Sequence, residues 1–129
     1  MGGQNKKQFG SITWTDLTVQ NAEEVKEFYQ HVVGWKAEPV SMGEYNDFNM
    51  NLPENNETVT GICHARGGNV KIPPQWLVYI TVEDVDESAK KCLDLGGEII
   101  IEPKNMEGYG RYCIIKDPAG AVAALFTPE

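Results

Sequence analysis

The chain has 129 residues, of which 23% are charged, and its formal net charge at pH 7 is −8. This length is enough for a hydrophobic core without disulfide or metal support. The negative charge argues against a nucleic-acid partner, because binding phosphates requires clustered Lys and Arg. The three cysteines lack a CxxC spacing, which favours reduced thiols and a cytoplasmic protein. No apolar run is as long as a membrane span, so we expect no membrane partner.

The first half of the chain predicts a βαβββ module over residues 11–66, after a flexible tail at residues 1–10. The strands are expected at residues 11–19, 35–40, 45–52 and 58–65. A helix begins at an Asn21 cap and ends at Gly34. Its apolar residues recur at spacings of three and four, which predicts one buried stripe: Val25, Phe28, Tyr29, Val32 and Val33.

The second half predicts the same order of elements. Residues 67–75, which contain several Gly and Pro, are expected to link the first module to a second one at residues 76–129. The second helix is predicted at residues 86–95, with a buried stripe formed by Val85, Ala89, Cys92 and Leu93. Its strands are expected at residues 76–82, 98–102, 111–115 and 121–126.

The two halves also repeat each other in sequence. Thr18-Val19 returns 63 residues later as Thr81-Val82, and Glu38-Pro39 returns 64 residues later as Glu102-Pro103. This period is longer than the 20–50 residues of a solenoid unit, so it indicates two copies of one module. We expect them to form one structural domain, with the ligand site on the pseudo-twofold axis between them.

Several short motifs on this repeat resemble the vicinal oxygen chelate superfamily of glyoxalases, bleomycin resistance proteins and extradiol dioxygenases. They are Trp14-x-Asp16-Leu17, Phe28-Tyr29, Gly34-Trp35, Gly110-Arg111 and Asp117-Pro118-x-Gly120. The resemblance implies an α+β fold in which two tandem βαβββ modules form a cupped mixed β-sheet with the helices outside. It also implies a small-molecule ligand in the cup and a homodimer. It does not imply one reaction, because the superfamily contains both enzymes and binding proteins.

In that superfamily, metal ligands point into the cup from the first and last strand of each module. By resemblance these positions fall on Trp14, Leu77, Ala124 and, with the register still open, Gly61. A Trp side chain offers only an N–H donor, and the other three offer no donor atom that could bind a metal. The sequence therefore predicts no metal and no cofactor at the inherited centre.

Asp16 and His64 are the candidate acid–base residues. Asp16 follows Trp14 by two residues on a strand, so both should share one face. A buried carboxylate needs a partner or a raised pKa. Asp16 is therefore a partner of Arg111, a cap on a backbone turn, a solvent-exposed residue, or a base or ligand-binding group. Cys63 and His64 are adjacent on a strand and should point to opposite faces, which argues against a Cys–His dyad.

The candidate ligand-binding residues combine aromatic, polar and small side chains expected to face the cup: Trp14, Asp16, Leu77, Tyr79, Tyr109, Arg111 and Ala124. Each aromatic residue taken alone is more typical of ordinary core, and Arg111 is equally consistent with an ion pair to Asp16 or Asp117.

Two functions remain open. One is metal-free binding of a small aromatic or oxo-acid molecule. The other is a glyoxalase- or dioxygenase-like lyase or oxidoreductase. Such an enzyme is either metal-free, using Asp16 with His64, or metal-dependent through atypical ligands.

Overall fold

The structure is a computed structural model that describes residues 8–129. Most of the predicted tail, residues 1–7, lies outside the described residues. The chain divides into two compact units. We call Trp14–Trp76 the N-terminal unit, and Leu77–Glu129 with the described residues before Trp14 the C-terminal unit. Those preceding residues belong there because Gly10 N–H donates to Thr81 O and Thr81 N–H donates to Ser11 O.

Both halves have the βαβββ order, which confirms the predicted α+β fold. The first half contains β1 (Ile12–Val19), α1 (Ala22–Val32), β2 (Lys36–Ser41), β3 (Asn46–Asn51) and β4 (Thr58–His64). A single 3-10 turn at Gly67–Asn69 lies in the predicted linker. The second half contains β5 (Trp76–Thr81), α2 (Val85–Asp94), β6 (Glu98–Met106), β7 (Gly110–Lys116) and β8 (Val122–Pro128). Neither helix within residues 8–129 has the length and apolar character needed to cross a bilayer.

Strand β6 runs past its predicted end at Glu102. Pro103 has no N–H to donate to a neighbouring strand, which is why the sequence indicated a stop. The structure accommodates it because the register between β6 and β7 shifts between Ile101 and Lys104. Such an irregularity lets a strand pass a residue that cannot pair.

In the N-terminal unit the strands lie in the order β2-β3-β4-β1, with β4 parallel to β1 and the other neighbours antiparallel. One face of this sheet carries the apolar core, against which Val25 and Tyr29 of α1 pack. The buried residues of this core are Leu17, Val19, Ala22, Phe48, Met50 and Ile62. Because side chains alternate along a strand, Trp14, Asp16, Gly61 and Cys63 belong to the opposite face.

The buried stripe predicted for α1 is wrong at three of its five positions. Phe28, Val32 and Val33 are 56%, 63% and 50% exposed. Ala22, Val25 and Tyr29 follow one another at spacings of three and four and form a single narrow line. Phe28 lies about a quarter-turn from this line, and Val32 and Val33 lie at the C-terminal end of the helix; all three remain exposed to solvent. The Asn21 side chain also makes no capping bond; its amide donates to Glu24 instead.

An aromatic cluster completes the core of the N-terminal unit. Trp76 Nε1–H donates to the hydroxyl of Tyr29 at 3.1 Å. The Trp76 ring centroid lies 5.2 Å from that of Tyr29 and 6.0 Å from that of Trp35, both in edge-on contact. These contacts satisfy the polar atoms of two large aromatic side chains within an apolar environment.

In the C-terminal unit the strand order is β5-β8-β7-β6, with β5 and β8 parallel. Its helix-facing core contains Val85, Ala89, Cys113 and Leu125. Asp84 caps α2 by accepting the N–H of Glu87. The predicted burial of Leu93 is wrong, because this residue is 57% exposed.

Candidate functional site

Trp14 and Asp16 contact each other on the face of β1 that points away from α1. The Nε1–H of Trp14 donates to Asp16 Oδ2 at 3.3 Å. The Trp14 side chain is 36% exposed, whereas Asp16 Oδ1 is shielded from solvent. The pair therefore combines an accessible aromatic surface with a sheltered carboxylate.

Gly61 is the residue of β4 that pairs with Asp16. This fixes the strand register that the sequence left open. A Cβ at position 61 would lie 3.7 Å from Asp16 Cβ and 3.8 Å from Trp14 Cζ2. The absence of a side chain leaves the space beside Trp14 and Asp16 open.

The C-terminal unit repeats this register with different side chains. Tyr79 pairs with Ala124 in β5 and β8, at positions that match Asp16 and Gly61 after a shift of 63 residues. Leu77, the counterpart of Trp14, and Ala124 are fully buried. The repeated positions therefore offer a carboxylate in one unit and a phenol in the other.

The four positions where the superfamily resemblance implies metal ligands do not fit a divalent ion. The only side-chain polar atom among them is the indole nitrogen of Trp14, which donates its hydrogen to Asp16. Gly61, Leu77 and Ala124 have no donor atom at all, whereas a catalytic zinc site needs about three protein ligands. Within residues 8–129 no group of three or more His, Cys, Asp or Glu side chains is arranged to hold a metal ion.

His64 contacts a carboxylate that the sequence did not single out. Asp47 Oδ1 accepts the backbone N–H of His64 at 2.8 Å and lies 3.3 Å from Nδ1 of its ring. The ring of Tyr45 lies edge-on to the imidazole, with the centroids 5.1 Å apart. The guanidinium of Arg66 in turn lies 4.0 Å from the Tyr45 ring centroid.

Cys63 contacts the same carboxylate. Burial raises the pKa of the Cys63 thiol most, and the negative charges of Asp16 and Asp47 and a hydrogen bond to Asp47 raise it further. Sequence reasoning expected Cys63 and His64 to point to opposite faces and missed Asp47, which contacts both residues. Antiparallel pairing of the two predicted strands would have identified Asp47, because position 47 lies opposite Cys63 when Phe48 is paired with Ile62.

Arg111 contacts neither of its predicted carboxylate partners. Its Nε–H and Nη2–H donate to the two carboxylate oxygens of Asp86 at 2.8 and 3.0 Å, and its Nη1–H donates to Asn105. The hydrogen bond from Arg111 lowers the pKa of Asp86. Asp117 instead accepts the backbone N–H groups of Ala119 and Ala121 in its own turn.

Tyr109 lies in the turn between β6 and β7 and is 68% exposed. Arg111 lines a shallow surface cavity of about 530 Å³ beside that turn, together with Asn105, Glu107, Gly110 and Thr127–Glu129. In the C-terminal unit, Tyr109 and Arg111 therefore belong to the β6–β7 end and not to the Tyr79–Ala124 pair.

Comparison with known proteins agrees with this fold. Residues 11–125 match the model of the Glyoxalase/Bleomycin resistance protein/Dioxygenase superfamily, and the chain belongs to that superfamily. The chain is 27% identical over 128 residues to putative glyoxylase CFP32 of Mycobacterium tuberculosis, covering 99% of this chain and 48% of that protein. It is 30% identical to the anthracycline biosynthesis protein DnrV of Streptomyces peucetius, and this match covers 91% of this chain and 46% of DnrV. The chain thus spans about half the length of the curated relatives it matches.

Solved structures share the fold at low sequence identity. Methylmalonyl-CoA epimerase from Mycobacterium tuberculosis has a TM-score of 0.55 and 15% identity, covering 93% of this chain and 88% of that one. A methylmalonyl-CoA epimerase in complex with methylmalonyl-CoA and NH4+ has a TM-score of 0.56 and 15% identity, and the match covers 93% of this chain and 95% of that one. These likenesses support the fold alone.

Proposed function

We propose that this protein binds a small, planar aromatic or oxo-acid molecule on the sheet face that carries Trp14 and Asp16, without the usual metal centre of its superfamily. The observation that carries the proposal is the Trp14–Asp16 contact beside Gly61. An indole with an accessible face can stack on a planar ligand, and a sheltered carboxylate can accept its hydrogen bonds.

The equivalent residues of the C-terminal unit are a second set of candidate ligand-binding positions. Leu77, Tyr79 and Ala124 occupy the repeated positions, and the phenol of Tyr79 can donate a hydrogen bond where Asp16 can only accept one. Tyr109 and Arg111 are secondary candidates. Arg111 makes a bidentate contact with Asp86, so an anionic ligand would have to compete with that carboxylate.

A thermal-shift screen of aromatic and oxo-acid compounds, with phenylpyruvate as the first probe, tests this proposal. A ligand at 100 times its Kd should stabilise the protein by about 2.7 kcal/mol. Titration calorimetry on each hit should then show that Asp16→Ala weakens binding roughly 5- to 150-fold, because one partner of a sheltered hydrogen bond is lost.

Asp94→Asn is the matched control, because Asp94 is exposed at the end of α2. A ligand whose affinity is unchanged by both Asp16→Ala and Tyr79→Phe would contradict the proposed site.

The second candidate function is a metal-free enzyme that uses Asp16, with His64, as acid–base groups. The sheltered oxygen of Asp16 supports it, because a carboxylate removed from water is a better proton acceptor. Metal analysis of the purified protein separates this candidate from a metal-dependent lyase or oxidoreductase. A stoichiometric divalent ion that is lost in Asp16→Ala would contradict both metal-free proposals.

We also propose that the protein is a cytoplasmic homodimer. The resemblance to two-module members of the superfamily supports the dimer, and three unpaired thiols support a reducing compartment. Sedimentation at high micromolar concentration should give about twice the 14.3 kDa mass of one chain. A single species of one-chain mass would contradict the dimer.

A further inference from the structure

Asp47 and His64 form a polar cluster on β3 and β4, and Asp47 lies on the same sheet face as Asp16. Asp47 lies on β3 directly before the buried Phe48, which pairs with Ile62 of β4. Since neighbouring residues on a strand alternate between faces, Asp47 and Cys63 point away from the helix-facing core. Asp16 and Gly61, on β1 and β4, share that face.

The carboxylate of Asp47 is held from three directions. Its Oδ1 atom accepts the backbone N–H of His64 at 2.8 Å, its side chain accepts the thiol hydrogen of Cys63, and Nδ1 of His64 lies 3.3 Å from Oδ1. The side chains of Asp47 and His64 are only 15% and 14% exposed. Few water molecules can therefore compete for these contacts.

These contacts determine which imidazole nitrogen carries the hydrogen. An ionised carboxylate only accepts hydrogen bonds, so the nitrogen that faces Asp47 must be a donor. In a neutral imidazole the other nitrogen then has the lone pair. The His64 ring contacts Asp47 through Nδ1 and the Tyr45 ring edge-on.

We infer that Asp47 fixes the tautomer of His64, with the hydrogen on Nδ1, and thereby makes Nε2 the proton-accepting nitrogen of this imidazole. Cys63 is the supporting residue, because its neutral thiol donates to Asp47 and keeps the carboxylate turned toward the imidazole. Asp47 and Cys63 are positioning residues that act through His64.

The other groups around His64 are Tyr45 and Arg66. The Tyr45 ring contacts the imidazole edge-on, and the Arg66 guanidinium covers the Tyr45 ring. The Asp16 carboxylate acts on the same cluster through Cys63. His64 is thus restrained by an anion at Nδ1 and by an aromatic ring, which favours one ring orientation.

This inference deepens the second candidate function, on which it rests and in which His64 acts with Asp16 as an acid–base group. It names Nε2 as the atom of His64 that would accept a proton. The tautomer itself exists without any ligand, so it can be tested apart from the proposed function.

The test is ¹⁵N NMR of the imidazole rings in ligand-free protein at a pH where His64 is neutral. The chain has only two histidines, and His31→Gln assigns the signals. We expect His64 to show a protonated Nδ1 and an unprotonated Nε2. An Nε2–H tautomer in the wild-type protein would overturn the inference without any variant.

Variants then test the positioning residues. Asp47→Ala removes the acceptor and should move His64 to a mixture of tautomers or to the Nε2–H form, while Asp94→Asn and the His31 signals remain unchanged. Cys63→Ser keeps a donor and should retain the wild-type tautomer, whereas Cys63→Ala should reduce its population. An unchanged tautomer in Asp47→Ala would overturn the role of Asp47, and an unchanged population in Cys63→Ala would overturn that of Cys63. If Asp47→Ala fails to fold, the wild-type spectrum and the Cys63 pair still decide the question.

Discussion

Asp16 and Gly61 are register partners across the parallel strands β1 and β4. The same relationship recurs between Tyr79 and Ala124 in β5 and β8. Residues 63 positions apart therefore occupy the same place in the two modules, and only their side chains have diverged. In each unit the strand that flanks the candidate position presents a small residue, Gly61 or Ala124, and the absence of a side chain at Gly61 leaves space beside Asp16.

Two substitutions of Gly61 should separate an effect on ligand binding from an effect on the stability of the fold. Gly61→Ala adds a Cβ whose nearest neighbours lie 3.5–3.8 Å away, so its unfolding free energy should change by less than about 1 kcal/mol. Gly61→Leu should fill the space beside Trp14 and weaken a ligand found in the screen at least tenfold. Urea unfolding and calorimetry measure the two effects. Wild-type affinity in Gly61→Leu would contradict the proposed face.

Gly110→Ala is the contrasting glycine substitution. Gly110 has a φ of 153°, and a Cβ there would collide with the backbone of Thr127 and Pro128. Strain and overpacking of this kind cost roughly 1–3 kcal/mol or more. We expect a clearly lower urea midpoint than in Gly61→Ala, and equal midpoints would contradict the close approach of β7 and β8.

Core and surface positions of the N-terminal unit should respond differently to truncation. Met50 is fully buried, so Met50→Ala should lower the unfolding free energy by about 2–5 kcal/mol. Val32 is 63% exposed, and Val32→Ala should change it by less than about 0.5 kcal/mol. Urea unfolding measures both. A large loss in Val32→Ala would mean that α1 buries this residue in an assembly.

The fold was predictable because its signals are local and repeated. The 63-residue repeat, the helix periodicity and the turn residues gave the order of all ten main elements. The exposure of Phe28 and Val32 was not predictable, because helical periodicity identifies the apolar side of a helix but not which of its residues the sheet covers. The end of β6 was missed for a similar reason, since a register shift at Pro103 depends on the neighbouring strand.

The candidate site was less accessible to sequence reasoning. Side chains alternate between the two faces along β1, and this local rule correctly predicted that Trp14 and Asp16 share one face. Partners of charged residues depend on contacts between distant segments, so Arg111 was assigned to Asp16 or Asp117 when its partner is Asp86. Asp47 was missed because it shows its role only after β3 is paired with β4.

The Asp86–Arg111 pair should make stability depend on pH. The hydrogen bond from Arg111 lowers the pKa of Asp86 below its ordinary value of 3.8. A lowered folded-state pKa stabilises the protein above that ordinary value, and this contribution is lost as the pH falls through the folded-state pKa. Wild-type protein should have a higher urea midpoint than Asp86→Asn at pH 7, and the difference should vanish at low pH.

The effect should be modest, because both side chains are exposed to solvent. Asp94→Asn is the control for a general effect of removing one carboxylate. A midpoint difference between wild type and Asp86→Asn that persists unchanged at low pH would contradict the ion-pair explanation.

Two thiols should resist alkylation in the native protein. Burial and nearby carboxylates raise the pKa of Cys63, and burial with nearby acidic groups raises that of Cys113 to about 11. Because the thiolate is the reactive form, iodoacetamide at pH 8 should label both residues slowly in native protein and rapidly in urea. Peptide mass spectrometry gives the two rates, and equal rates for Cys63 in both conditions would contradict its burial beside Asp47.

The aromatic cluster of Tyr29, Trp35 and Trp76 has a practical consequence for every such experiment. The chain contains three tryptophans, and all of them, Trp14, Trp35 and Trp76, lie in the N-terminal unit. Tryptophan emission therefore reports on the N-terminal unit, and Trp14 reports directly on the proposed ligand face. The C-terminal unit contains no tryptophan, so its unfolding requires a second probe, such as far-ultraviolet circular dichroism of the whole protein.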